Sequence, residues 1–121
     1  MKAGKTQATE TLAALSPQVS GLIRRFASDT KHLLRENIVV EYLFGSYATQ
    51  TQTPLSDIDI LIVVNQYSRD LQWKLAGLAS EYSLEYDVCF SPLLQDKRSW
   101  EKHQQYQTLF YQEVTGHGVA L

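Results

Sequence analysis

The sequence predicts an α+β (α/β) protein, a small mixed β-sheet with helices packed on it. Three observations carry that expectation. Apolar, β-branched runs of strand length fall at residues 38–44, 58–64 and 84–90. Stretches with apolar residues at helical spacing lie between and around them. The resulting order is α-β-α-β-α-β-α, and no repeat, linker or low-complexity tract divides it. At 121 residues the chain makes one domain, large enough to bury ~65% of its unfolded surface.

Residues 1–10 are polar and expected to fray. Residues 1–15 thus read as a terminal segment, frayed or helical, ahead of a domain over 16–121. Ser16 and Pro17 make a helix start, with serine as N-cap and proline in the first helical position. Val19, Leu22, Ile23, Phe26, Leu33 and Leu34 then recur at helical spacing, which predicts an amphipathic helix over 17–36. Residues 38–44 end at Gly45 and read as a strand. Residues 46–51 suit one or two helical turns before Pro54. Residues 58–64 are almost uniformly apolar and β-branched, as a central strand covered on both faces should be. Ser68 caps a second helix with an inner stripe of Leu71, Leu75, Leu78 and Tyr82. In 84–90, Leu84, Tyr86, Val88 and Phe90 alternate with Glu85, Asp87 and Cys89, which predicts a third strand ended by Pro92. A last helix over 97–114 closes at Gly116 and Gly118, and residues 119–121 add a final strand.

Composition narrows the function. The net charge of −2 argues against a general nucleic-acid binder, which carries a basic face. Arg24, Arg25, Lys31 and Arg35 form a local basic patch that reads as the solvated side of a helix. Cys89 is the only cysteine, so neither an internal disulfide nor a thiolate zinc cluster can form. That usage fits a reducing cytoplasm. No apolar stretch is long enough for a signal h-region or a bilayer span. A soluble cytoplasmic protein is expected.

The chemistry concentrates in two places. Gly45-Ser46 closes the first strand; glycine lets the backbone come close to a ligand, and free amides at a helix start attract phosphate. The Ser46 hydroxyl adds a donor for a phosphate oxygen. Ten residues later come Asp57 and Asp59, two apart in an extended segment and so on one face. Asp87, from the neighbouring strand, is placed to reach the same face. Three hard oxygen donors with open positions suit Mg²⁺, which favours carboxylates plus substrate phosphates. Two such ions ~3.5–4 Å apart can steady the attacking and leaving oxygens of a phosphoryl centre. Ser56 reads as the cap of the turn that aims Asp57. Gly-Ser, ten residues, then Asp-x-Asp arises by chance in on the order of one chain in a thousand of this length.

These residues resemble the signature of the polymerase-beta-like nucleotidyltransferase superfamily. The small size and the ending from Leu109 to Val119 are similar to its minimal nucleotidyltransferase (MNT-type) members, over about residues 18–121. The resemblance implies a polymerase-beta-like core, with Asp57 and Asp59 as metal ligands. It implies that Asp87 is the third carboxylate, assisting the metal and deprotonating the acceptor, and that Gly45 and Ser46, with Ser56 beside them, grip the triphosphate of ATP. Proteins of this type are commonly antitoxins that transfer AMP from ATP to a tyrosine of a HEPN-type ribonuclease toxin. One departure stands out: five positions after Gly45 the family usually has a small residue, often glycine, and often a basic residue nearby, whereas Thr49 and Gln50 occupy that region here.

The chain has no length for a separate acceptor-holding domain, so the acceptor is expected from a partner protein or a second copy. Trp100, Tyr106, Phe110 and Tyr111 are the aromatic anchors for such an interface, although the same residues suit a core. Occlusion of the toxin without catalysis is the alternative function, and transfer to a small molecule or an RNA end is another. Arg98 and His103 match the Arg-x4-His spacing of HEPN ribonucleases, but three strands argue against that all-helical fold. His32 and His117 show no ligand spacing. Cys89, between Val88 and Phe90, reads as a small buried hydrophobe. Tyr47 and Tyr67 are exposed candidates for self-modification.

Overall fold

The structure is a computed structural model that describes residues 10–121. Of residues 1–10, expected to fray, 1–9 lie outside the described residues and Glu10 is helical. Residues 10–14 are helical, with Leu12 and Leu15 buried in the main core. Helix α1 (Pro17–Leu34) starts where serine and proline predict, the Ser16 hydroxyl accepting from the Val19 N–H at 3.2 Å. It stops two residues before position 36. There Arg35 turns to φ 52°, and a 3₁₀ turn (Arg35–Asn37) leads into the sheet.

Four strands form that sheet: β1 (Ile38–Phe44), β2 (Ile58–Val64), β3 (Phe90–Asp96) and β4 (Val119–Ala120), in the order β3-β2-β1-β4. β1 runs antiparallel to β2 and β4, and β3 runs parallel to β2. The sheet is therefore mixed, as expected. Its topology brings the end of β1 and the beginnings of β2 and β3 to one edge of the molecule.

Side chains alternate along β2 between two cores. Ile58, Ile60, Ile62 and Val64 face α1 and α3 (Arg69–Tyr86), joining Phe26, Leu43, Leu75, Tyr82 and Phe90. Leu61 and Val63 face the other side, where Trp100 and Val114 cover them with Tyr42, Phe44, Phe110 and Tyr111. Every residue of β2 except Asp59 is buried, and each large aliphatic side chain removed from water contributes roughly 1.5–3 kcal/mol. Most of the aromatic anchors proposed for an interface thus fill the second core. Tyr106 alone of the four is exposed, at 72%.

Three expectations are corrected. Residues 84–86 are helical: α3 runs to Tyr86, and Asp87 caps it in the left-handed region at φ 56°. The third strand is Phe90–Asp96, so Asp87 lies before the strand rather than on it, and Leu84 is exposed. The physical reason is the stripe Leu75, Leu78, Tyr82, Tyr86, which continues at spacings of three and four and packs Tyr82 and Tyr86 together. Pro92 sits inside β3, tolerated because β3 is an edge strand bonded on one side only. The last helix is two, α4 (Lys97–Gln105) and α5 (Leu109–His117). Gln107 at φ 48° breaks the run, and the Thr108 hydroxyl caps the new start by accepting from the Tyr111 N–H. Within α5, Gly116 does not end the helix; Gly118 does.

Glu41 is buried on the α1 side of β1. Thr30 donates to one of its oxygens at 2.7 Å, and Lys31 Nζ lies 3.2 Å from the other. Burial pushes its carboxyl up from 4.5, and the Thr30 bond and Lys31 charge oppose that shift. A raised acid ionises at a cost in the folded state, so its relative benefit holds below pH 4.5 and is lost as pH rises through the folded value. Urea unfolding at a series of pH values should show Glu41→Gln gaining stability relative to wild type above about pH 4.5; a flat difference would contradict this.

Gln50 ends the one-turn helix α2 (Ser46–Thr49) at φ 61°, a conformation open to glycine without the clash an L side chain meets. Gln50→Gly should raise the unfolding free energy by about 1 kcal/mol, read as a higher urea midpoint at unchanged slope.

Candidate active site

The site is assembled where β1 ends and β2 begins. Phe44 pairs with Asp59 across the two strands, so the residue that follows Phe44 arrives beside that carboxylate. That residue is Gly45, at φ 75° and ψ −155°. A Cβ at Gly45 would collide with Oδ2 of Asp59, with its Cγ at 3.2 Å. Glycine is required here twice over, for its backbone angle and for the space the carboxylate occupies. Its carbonyl then accepts from the N–H groups of Ala48 and Thr49 at 3.1 and 3.2 Å, which turns the chain into α2 and presents Ser46.

Asp57 and Asp59 flank Ile58 at the start of β2. Asp57 is exposed and Asp59 is half-buried. Burial, and then the charge of Asp57, hold the Asp59 carboxyl above its ordinary value. Two like charges on one strand end favour a cation between them. The turn before them is closed by Ser56: its Oγ accepts from the Thr53 N–H at 2.8 Å, and its own N–H donates to the Thr53 carbonyl at 3.0 Å. Ser56 therefore closes the loop that precedes Asp57.

A cleft of about 250 Å³ opens beside the pair, lined by Tyr47, Ser56, Asp57, Asp87 and Cys89 among others. Asp87 is thus brought to the same cleft as Asp57, from the cap of α3 rather than from a strand. Among the described residues, no three His, Cys, Asp or Glu side chains stand close enough to hold a metal ion together. The donor set that fits Mg²⁺ is accordingly the Asp57–Asp59 pair, since this ion takes one or two carboxylates and completes its shell with water and phosphate. Asp87 lines the cleft with Asp57 but does not complete a three-ligand cluster with the pair.

Two cleft residues were not assigned to the site from sequence. Tyr47 follows Ser46 and half-buries its ring at the cleft wall. Cys89 is exposed, not the buried hydrophobe expected. Its carbonyl accepts from the Ile58 N–H at 2.8 Å, which sets it next to Asp57. Bonding to the Asp57 carboxylate, burial and the charges of Asp57 and Asp59 push its thiol up. Only the parallel register of β3 on β2 brings Cys89 there. The alternation within residues 84–90 already puts Cys89 on the side of Asp87, and that is the signal available.

Comparison with known proteins follows the same residues. The family model described as Polymerase beta, Nucleotidyltransferase matches residues 29–115. The chain is 32% identical over 105 residues to "Putative protein adenylyltransferase MJ0141" of Methanocaldococcus jannaschii, covering 86% of this chain and 99% of that protein. It is 25% identical over 83 residues to "Putative protein adenylyltransferase MJ1305" of the same organism, covering 66% of this chain and 56% of the relative. Among solved structures, a chain from a crystal structure of a toxin-antitoxin with AMP-PNP is 28% identical, with a TM-score of 0.47, over 77% of this chain and 69% of that one. No helix among the described residues is long and apolar enough to cross a membrane.

The contact between Gly45 and Asp59 is open to a direct test. Gly45→Ala must move either the turn or the carboxylate, and is expected to lower stability by about 1–3 kcal/mol in thermal or urea unfolding. An unchanged midpoint would show that the approach is looser than described.

Proposed function

Because the chain belongs to the polymerase beta nucleotidyltransferase family, we propose that it is a Mg²⁺-dependent protein adenylyltransferase. It acts as an antitoxin by transferring AMP from ATP to a tyrosine hydroxyl of a HEPN-type ribonuclease partner, which silences that partner. That the chain is a nucleotidyltransferase follows from its family. The protein acceptor is supported by the relative named as a protein adenylyltransferase, which this chain spans almost end to end. The HEPN partner and the tyrosine rest on the resemblance of the small size and of the ending Leu109 to Val119 to MNT-type members.

The single observation that carries the reading is the close seat of the Asp59 carboxylate against the Gly45 backbone. It joins the turn suited to a phosphate and the acids suited to a cation into one unit. In the reaction the acceptor oxygen attacks the α-phosphorus of ATP, the bond to the bridging oxygen breaks, and pyrophosphate leaves. Asp57 and Asp59 would hold magnesium, which supplies positive charge against the oxygens that become more negative. Gly45, without a side chain, lets the phosphate tail approach the main chain, and the Ser46 hydroxyl donates to a phosphate oxygen. Asp87, which lines the cleft with Asp57, takes the proton of the acceptor hydroxyl. Ser56 acts through the loop, keeping Asp57 aimed.

The test uses purified protein, α-labelled ATP, Mg²⁺ and a HEPN-type partner. Label should move to the partner, disappear with EDTA, and fall by about 10³-fold or more in Asp57→Asn or Asp59→Asn. Mass spectrometry of the labelled partner reads the acceptor residue. Full neutralisation of the toxin by the Asp57→Asn, Asp59→Asn double variant would replace this account with binding alone.

A further inference from the structure

Helix α3 buries one side and leaves the opposite side apolar in the open. Leu75 and Tyr82 carry it into the core. On the far side Trp73 is 71% exposed and Leu84 is 89% exposed. Three helical turns take about eleven residues, so these two side chains stand in one line. Gly77 and Ser80 lie between them, exposed as well. Single exposed apolar residues are ordinary on a protein surface. Among the described residues, the other large ones are spread over separate strands, loops and helices. Trp73 and Leu84 alone share an element and a face.

Gly77 is a separate sign. A glycine inside a helix weakens it relative to alanine, and the surroundings of this one do not require it. Its φ is not in the left-handed region, and a Cβ there would meet nothing within 4 Å. What bare backbone offers on an exposed helix is a close approach by something else. A groove of about 350 Å³ widens the surface beside it, lined by Asp29, Leu33, Lys74, Leu78 and Glu81.

The charges choose the occupant. Arg69 and Lys74 fall in the first half of α3, Glu81 and Glu85 in the second. Lys74 meets Asp70 at 3.1 Å in a pair open to water, which is weak for that reason. Two copies of the helix crossing antiparallel near Gly77 lay Lys74 of each against Glu81 of the other, and Arg69 towards Glu85. The same crossing seats Trp73 of each copy between Ser80 and Leu84 of the other. A parallel crossing would put like charges side by side and align the helix dipoles unfavourably.

We propose that the chain pairs with a second copy of itself through α3, about a twofold axis near Gly77. The face is self-complementary, as an isologous contact requires: large, small, small, large along the line, and positive to negative along the helix. One helix face makes a small interface, so the pairing is weak, with a dissociation constant on the order of 10 µM. The inference stands apart from the nucleotidyl-transfer reading above.

Sedimentation equilibrium of the full chain, from about 1 to 300 µM, should show monomer and dimer exchanging with that constant. Trp73→Ala should weaken the dimer by about thirtyfold or more. Gly77→Leu should block the approach and leave a monomer, with its urea midpoint held or raised. Lys74→Glu and Glu81→Lys should each weaken pairing by about tenfold. An equimolar mixture of those two variants should recover wild-type affinity, because every lysine in the mixed pair then faces a glutamate. Circular dichroism and the urea midpoint show that each variant is folded. A monomer throughout the concentration range overturns the proposal. So does a dimer indifferent to Trp73→Ala and Gly77→Leu, or a mixture no tighter than its components.

Discussion

A strand buried on both faces ends in two carboxylates, and the rest of the molecule is arranged around that conflict. β2 needs apolar cover from both layers of helices to stay at the centre of the sheet. Its first residues must nevertheless leave that cover, because an ionised pair cannot be held in an apolar interior without a counter-charge. The antiparallel return of β1 resolves the conflict. It delivers Gly45 against Asp59, so the carboxylate rests on bare backbone rather than under a side chain. From that contact follow the half-buried state of Asp59, its raised carboxyl and the turn that presents Ser46.

Much of this was legible from residues alone because its causes are local. Residues 38–44 and 58–64 have few alternatives to strand, and Ser16 and Ser68 cap the helices that their positions predict. The glycine-serine turn and the acid pair could be identified by spacing. That they touch could not, since contact depends on the pairing of Phe44 with Asp59.

The misreadings share one source. Residues 84–90 satisfy a two-residue alternation, while Tyr82 and Tyr86 continue the helical stripe begun at Leu75. Two periodicities overlap there, and packing decides between them. With the strand displaced to Phe90–Asp96, Asp87 moves from a sheet face to a helix cap, and Cys89 moves from the core to the cleft. Position along the chain still placed Asp87 near Asp57. That it completes no three-ligand cluster with the acid pair was a tertiary result.

Pro92 carries a consequence for how anything can attach to this sheet. The outer side of β3 is an open ladder of the kind that recruits a strand from another chain. A proline nitrogen has no hydrogen to donate, so an added strand would find a rung missing near the middle of its seven-residue template. Backbone zippering along this edge is thereby disfavoured, as is the fibrous self-association that begins in the same way.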